Sequence, residues 1–435
     1  MKLPEIGEWS GKKNRVVLGY DLGSEFSQIS YYVTEKGEPE TVSIVTGEQQ
    51  YNFPTVLAKR LEANQWVYGK EALQLAQSGE GILVDNLLEV AREGEQIEVG
   101  GSSFDPVALL ALFMKKSLNL LGLFVSVDKA DALMITVENL DHVMVEVLKQ
   151  AVRMMQLKIE HIYFQDHIES FYDYAIHQEE ALRKHEVLLC DFEGEQLRTY
   201  RLECNRRTTP VVVFVEDEVY PDIRRDMSGA GTLSDGEKEE LDGQFLQAVQ
   251  NLCSGRIVST VYLIGRGFEG DWCRESLRYL CRGRRIFQGN NLYSKGACFA
   301  AGEKLVPSSV GKEHVFLGKD KLKANLGMKV LRRGEPSYFA ILDAGINWFD
   351  VKAECEFILE SGYSFRILVT PLTGRDAREV EIIMGDMPER KMRATRLHME
   401  LSMKAENKVQ IVLRDMGFGE IYPATGQTWQ EEFEI

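Results

Sequence analysis

The chain has 435 residues, 44% of them apolar and 27% charged, with only 11 prolines, which gives it enough core for two or three domains and excludes a largely disordered protein. Acidic residues outnumber basic ones 67 to 51, for a net charge of −16, and this repulsion sets nucleic acid and anionic membranes aside as partners. The seven cysteines (Cys190, Cys204, Cys253, Cys273, Cys281, Cys298, Cys355) include no C-x-x-C pair, Met1 to Glu8 contains no secretory apolar run, and Asp128, Lys129 and Asp131 interrupt the apolar span from Leu118 to Val137; the expectation is a reduced, cytoplasmic protein without a membrane segment.

Arg15 to Tyr20 reads as a strand running into Asp21-Leu-Gly-Ser24, with Gln28 to Val33 returning from a glycine-bearing hairpin. Strands are expected at Thr41 to Val45, from Asn52 through Ala58 and at Trp66 to Gly69, the last opening a helix at Lys70-Glu-Ala72. Asp105-Pro106 sets up a helix whose Val107, Leu110, Ala111 and Met114 share one face. Ala132 to Val137 is a β-type run, and Met144, Val147, Leu148, Ala151 and Met155 then recur at helical spacing. Ile159 to Phe164 resumes a strand, Ser170 to Gln178 a helix, and Val187 to Cys190 leads into Asp191 before the alternating stretch Leu197 to Leu202.

Ser228 to Ser234 is linker-like, and Ser234 with Glu237 makes a capping box for the next helix. Val258 to Ile264 ends in Gly265-Arg-Gly267, followed by a helix over Cys273 to Leu280. This alternation makes the first 300 residues, in round terms, α/β. Short β-type runs then follow at Leu326 to Leu331, Ser337 to Leu342, Ala353 to Leu359, Ser364 to Val369, Val380 to Ile383, Leu397 to Met403 and Val409 to Leu413, the pattern of a sandwich or barrel.

A strand ending in Asp-Leu-Gly-Ser sets a carboxylate beside a turn whose N–H groups can face a phosphate, with the aspartate near a magnesium ion. A hairpin with an aspartate in its turn has the same sequence. The arrangement returns in Val187-Leu-Leu-Cys-Asp191-Phe-Glu-Gly194, and Leu263-Ile-Gly265-Arg-Gly267 ends a third strand in glycines. Asp166 and Asp191 are a candidate general-base pair, with solvent-facing strand-end aspartates as the alternative. The seven histidines are scattered, so no metal site is expected from them.

These motifs, in this order, resemble the heat-shock chaperones of the seventy-kilodalton class within the actin-like ATPase superfamily. Asp21 to Ser24 looks like the first phosphate loop, and Phe53 to Ala58 with Trp66 to Ala72 like the segments after it. Ile135 to Val137, Leu157 to Asp166 and Ser170 to Ile176 are similar to the first connecting stretch. Asp191 to Gly194 looks like the second phosphate loop, Leu263 to Gly267 like the adenosine loop, and Asn291 to Ala297 like the second connecting helix. Tyr338 to Asp343 looks like the apolar interdomain linker, and Glu356 to Trp429 has the spacing of the peptide-binding sandwich.

The resemblance implies a two-lobed α/β fold of duplicated ribonuclease-H-like lobes over residues 14–303, divided at about 165, a connecting segment over 304–337, and an all-β sandwich over 338–435 without a helical lid. It implies ATP and magnesium held by Asp21, Gly23, Ser24, Asp191, Gly194, Gly265 and Gly267, with Asp21, Asp166 and Asp191 as catalytic groups and Asp21 and Asp191 as magnesium ligands. Departures from the family bear on activity. Glu193 and Glu195 stand where the family has glycines, Asp85 falls where it has a phosphate-neutralising lysine, Asp166-His167 replaces its glutamate and hinge proline, and the segment clamping the adenine is shortened. The expected function is therefore a chaperone-like scaffold with a degenerate nucleotide site and a polypeptide partner. The alternatives are an active ATPase or small-molecule kinase with a variant site, and an assembly component that uses no nucleotide.

Overall fold

The computed structural model describes residues 15–34, 37–45, 47–225, 233–289, 291–371 and 377–435. It is mixed α/β with several sheets, and the chain divides into two units, Met1–Phe316 and Leu317–Ile435.

The first sheet of the first unit contains β1 (Val16–Leu22), β2 (Phe26–Val33), β3 (Glu40–Thr41), β4 (Ala132–Val137) and β5 (His161–Asp166), in the order β3-β2-β1-β4-β5. The hairpin strands β1, β2 and β3 pair antiparallel, whereas β1–β4 and β4–β5 are parallel. Every residue of β4 is buried, which is why Ala-Leu-Met-Ile-Thr-Val reads as a continuous apolar run instead of alternating. Helix α1 (Pro106–Ser117) takes Asp105 as its N-cap. The β4–β5 crossover is α2 (His142–Met155), whose N-cap Asp141 accepts from the Met144 N–H at 2.9 Å. The strand expected over Thr41 to Val45 is reduced to Glu40–Thr41, because the Ser43 hydroxyl turns the chain by bonding the carbonyls of Val45 and Gln50.

After β5 the chain enters α3 (His167–Ile176) and builds a second sheet from β6 (Glu186–Asp191), β7 (Gln196–Asn205), β8 (Val211–Arg224), β9 (Val258–Ile264), β10 (Arg285–Gln288) and β11 (His314–Phe316). Its order is β10-β9-β6-β7-β8-β11. Again three consecutive strands pair antiparallel, β6–β7 and β7–β8, and the first of them pairs parallel with a crossover strand, β6–β9, which pairs parallel with β10. Apart from β11 in the second sheet and the two-residue strand Phe53–Pro54, which pairs with β2 in the first, the two sheets share one strand order and one pattern of directions. The β8–β9 connection carries α4 (Asp235–Cys253), started by the Ser234–Glu237 capping box; most of the linker-like Ser228 to Ser234 lies outside the described residues.

Helix α5 (Leu292–Leu305) follows β10 and is buried over nine of its residues. It packs against β1 and α3 through glycines. A Cβ on Gly19 would stand 2.1 Å from the Ser294 carbonyl oxygen, and one on Gly296 would stand 1.9 Å from the Ser170 carbonyl oxygen. Only hydrogen at both positions lets the helix approach strand and helix this closely. Ser30 and Ser294 hydroxyls, 2.8 Å apart, satisfy each other within the contact.

Among its described residues the second unit is all β apart from one 3-10 turn, Trp348–Asp350. One sheet is β13-β12-β15-β16, from β12 (Ala324–Arg332), β13 (Glu335–Leu342), β15 (Ser364–Pro371) and β16 (Arg378–Ile383); the other is β14-β17-β18-β19, from β14 (Lys352–Leu359), β17 (Thr395–Ala405), β18 (Lys408–Asp415) and β19 (Thr428–Glu434). All pairings are antiparallel. Both sheets contribute to one core, with Leu326, Ile367 and Val369 from the first and Leu397, Ile411 and Leu413 from the second.

Two sequence expectations need correction here. Residues 304–337 are not a connecting segment: β11 pairs with β8 in the first unit, and β12 is an inner strand of the second. Tyr338 to Asp343 is not an interdomain linker, because Glu335–Leu342 is an edge strand zipped to β12, with the Tyr338 ring covering Gly327. An apolar run next to a turn has the same composition whether it pairs or links, so the sequence did not separate the two.

Candidate functional site

The two sheets end in carboxylates that face one cleft of about 370 Å³, lined by Asp21, Gly23, Ser24, Glu25 and Phe26 from the first hairpin and by Asp191, Glu193, Gly194, Glu195 and Arg198 from the second, with Glu138, His167, Gly265 and Tyr293 closing it. Asp21 lies near the end of β1, and its Oδ1 is 2.8 Å from His167 Nε2. His167 is the first residue of α3, and its ring stacks on that of Tyr293 with centroids 3.8 Å apart and planes 11° from parallel. The Tyr293 hydroxyl donates to Asp191 Oδ2 at 2.6 Å, while Asp191 Oδ1 accepts from the Glu193 N–H at 3.0 Å. An unbroken line of contacts, Asp21–His167–Tyr293–Asp191, thus crosses from one sheet end to the other.

The electrostatics follow from this line. Burial acts to lower the His167 pKa, but the Asp21 carboxylate beside it, with Asp191 and Glu138, outweighs burial and holds the ring above its ordinary value. Burial raises Asp191 above the usual carboxylate range against the Tyr293 hydroxyl, His167 and the Glu193 N–H. Tyr293 is pushed well above the usual phenol value, by burial first and then by Asp191. Glu193 is pushed up by burial to about 7, opposed by Arg266.

A second set of contacts joins the three loops at the mouth. Arg266 Nε donates to Glu193 Oε1 at 2.8 Å, its backbone N–H donates to Glu193 Oε2 at 3.1 Å, its guanidinium also pairs with Glu25, and it lies 4.3 Å from the centre of the Phe26 ring. Arg198 pairs with Glu138 at 2.9 Å.

Of the residues singled out from sequence, Asp21, Gly23, Ser24, Asp191, Gly194 and Gly265 line the cleft. Asp166 does not. Its Oδ1 caps α3 by accepting from the Glu169 N–H at 2.7 Å, and the next residue, His167, reaches the cleft instead. Gly267 lies beneath the Phe192 ring, where a Cβ would meet Cγ at 2.3 Å, so it supports the turn without forming cleft surface. Asp85 is exposed and does not line the cleft, and Arg92 pairs with Asp141 at the start of α2.

Sequence reasoning missed His167, Tyr293 and Arg266. One available signal was Asp166-His-Ile-Glu169, a helix-start pattern that assigns the aspartate to capping and leaves the histidine at the first helical position. Among the described residues no group of three or more His, Cys, Asp or Glu side chains is arranged to hold a metal ion. All seven cysteines are free thiols. Among the described residues one helical stretch, Pro106–Leu123, is long and apolar enough by composition to cross a membrane, and 56% of it is buried inside the protein.

A family of unknown function, DUF5716, matches through its C-terminal part at residues 38–319, and the chain belongs to that family. A domain of unknown function, DUF8552, matches residues 321–435, so the two matches meet close to the break between the structural units. No curated protein matches the chain.

Proposed function

We propose that the first unit is a two-lobed body of the actin and heat-shock ATPase type whose nucleotide cleft is held by the protein's own side chains, and that the chain is a non-hydrolysing scaffold for a polypeptide. The shared strand order of the two sheets supports the duplicated ribonuclease-H-like reading, as do the aspartates ending β1 and β6 and the glycine-mediated contact between α3 and α5. Between β8 and β9, α4 is the one helix among the described residues, which fits a reduced adenine-side segment.

The observation that carries the proposal is that both cleft aspartates already have protein partners, His167 on Asp21 and Tyr293 on Asp191. Six carboxylates line the cleft, and among the described lining residues Arg198 is the one permanently charged cation and no lysine is present. Glu193 is less repulsive than the sequence implied because Arg266 pairs with it, but that pairing also takes the Arg266 charge away from any phosphate. At an effective dielectric near 20, one unmatched carboxylate about 4 Å from a phosphate oxygen costs roughly 4 kcal/mol. Magnesium triphosphate does not suit this set of donors.

For the polypeptide, β13, β16, β14 and β19, the edge strands of the second unit among the described residues, offer backbone groups for strand addition. Trp348 and Phe349 are buried, and Phe365 packs beside the core, so these aromatics fill the interior. The test is phosphate release from magnesium ATP by the full chain, beside a titration with extended apolar peptides followed by tryptophan fluorescence. The proposal expects no turnover and saturable peptide binding. Turnover supports the active ATPase or small-molecule kinase, and a folded chain that binds no peptide removes the scaffold for polypeptide.

A further inference from the structure

The β12–β13 hairpin of the second unit presents an exposed edge. Its turn is Arg333-Gly334, with φ at 56° and 88°, the type I′ geometry of a two-residue loop. The strands pair from Arg332 with Glu335 to Gly327 with Ala340, after which a bulge at Ile341 shifts the register. Arg332 and Glu335 are the bonded pair beside the turn. Alternation from there points the N–H groups of Ser337 and Phe339 at β12 and those of Tyr338 and Ala340 away from it. The Pro336 carbonyl faces the same open side, where the N–H that proline lacks is not needed by the sheet. Every residue from Leu331 to Ala340 is exposed, Tyr338 by 49% and Phe339 by 37%.

This edge differs from the others in charge. Lys352, Glu354 and Glu356 lie along β14, Arg378, Glu379 and Glu381 along β16, and Glu431, Glu432 and Glu434 along β19. Such charges keep an edge from pairing with its own copy. From Pro336 to Leu342, β13 has none.

We propose that β13 pairs with β13 of a second copy of this chain, antiparallel about a two-fold axis at Tyr338. In this register Tyr338 exchanges both backbone bonds with its counterpart, and each Pro336 carbonyl accepts from the Ala340 N–H of the other copy. Ser337 stands opposite Phe339, and the two Tyr338 rings lie side by side on one face. The same register sets Arg333 opposite Asp343, twice. Both residues are exposed, and among the described residues neither has an ion-pair partner in its own chain. The registers one step to either side also match the backbone groups, but they set Asp343 opposite Leu331 or Glu335. Charge therefore selects the axis at Tyr338. The strip from Pro336 to Ala340 is small for an interface, so the dimer dissociates on dilution. It uses the second unit alone and is independent of what the cleft binds.

The test is sedimentation velocity of the full chain from about 1 to about 300 µM, the range in which a weak pair assembles. A dimer fraction that rises with concentration is expected. Tyr338→Lys sets two ammonium groups opposite each other and should abolish it. Arg333→Asp and Asp343→Arg should each weaken association about tenfold, because two exposed pairs are lost and become repulsive. The double variant Arg333→Asp with Asp343→Arg should restore the wild-type affinity; aspartate tolerates the positive φ of position 333. A chain that stays monomeric at every concentration overturns the proposal, including one whose β13 takes up an extended apolar peptide instead. So does a dimer that Tyr338→Lys leaves intact, since it uses another surface, or one that the charge reversals leave unchanged, since its register is different.

Discussion

Replacing Tyr293 by phenylalanine keeps the ring stacked on His167 and removes one hydroxyl, the donor 2.6 Å from Asp191 Oδ2. A hydrogen bond to a charged group contributes about 1.5–3 kcal/mol; Asp191 keeps the Glu193 N–H and is only half-buried, so the loss should be about 1–2 kcal/mol. The cost depends on pH, and its sign is fixed by the direction of the Asp191 shift. A carboxyl raised above its unfolded value of 3.8 stabilises the fold most below that value and loses that stability as pH rises through its folded pKa. The Tyr293 hydroxyl limits this loss by favouring the ionised form, so its removal matters most where Asp191 is charged. Scanning calorimetry of Tyr293→Phe against wild type should show the first unit's transition a few degrees lower at pH 7.5, with the gap narrowing steadily toward pH 4. An equal gap at both pH values, or none at pH 7.5, would refute the assignment of Tyr293 as the donor that holds Asp191 in its charged form.

Other outcomes follow from the same contacts. Gly296→Ala places a methyl into the Ser170 carbonyl and should destabilise the first unit by about 1–3 kcal/mol or more, seen as a lower denaturation midpoint; an unchanged midpoint would mean the helices can part freely. In the second unit, Arg390 pairs through two nitrogens with the buried Asp415, at 2.8 and 2.7 Å. Arg390→Met should cost about 3–5 kcal/mol and deprotect β18 in hydrogen exchange. Burial acts to raise Asp415, but Arg390 and the Thr425 and Gly417 N–H groups outweigh it and hold the carboxyl well below its usual range. This contribution is therefore complete at neutral pH and is lost only as strong acid protonates the folded form. Replacing both Glu193 and Glu195 by glycine removes two carboxylates and frees Arg266 toward the cleft, so ATP affinity should rise by at least about tenfold in equilibrium dialysis.

How much the sequence disclosed depended on the kind of signal. Strand positions were readable because Ala132 to Val137 is a short continuous apolar run of β-type length and Leu397 to Met403 alternates apolar with polar residues. Strand Thr428–Glu434 was not anticipated: Thr-Trp-Gln-Glu-Glu-Phe-Glu is mostly polar, and of its residues Trp429 and Phe433 pack against the core. In the cleft, Asp21 and Asp191 were readable because a strand ending in aspartate and a glycine turn is a local motif. Partnerships across the fold were not. His167 meets Tyr293 because α3 and α5 cross at one glycine-sized contact, Gly296 against Ser170, and no spacing in the chain encodes that meeting. The cross-cleft reach of Arg266 likewise comes from tertiary placement, although its two glycine neighbours mark the turn that makes it possible.

Isothermal titration of the full chain with magnesium ATP tests most directly whether the cleft's aspartates are satisfied by the protein itself. No saturable heat is expected up to about millimolar ligand, where the binding free energy is only about −4 kcal/mol. One-to-one binding at micromolar concentration would contradict it, because His167 and Tyr293 would then have to give up Asp21 and Asp191 to the ligand at little cost.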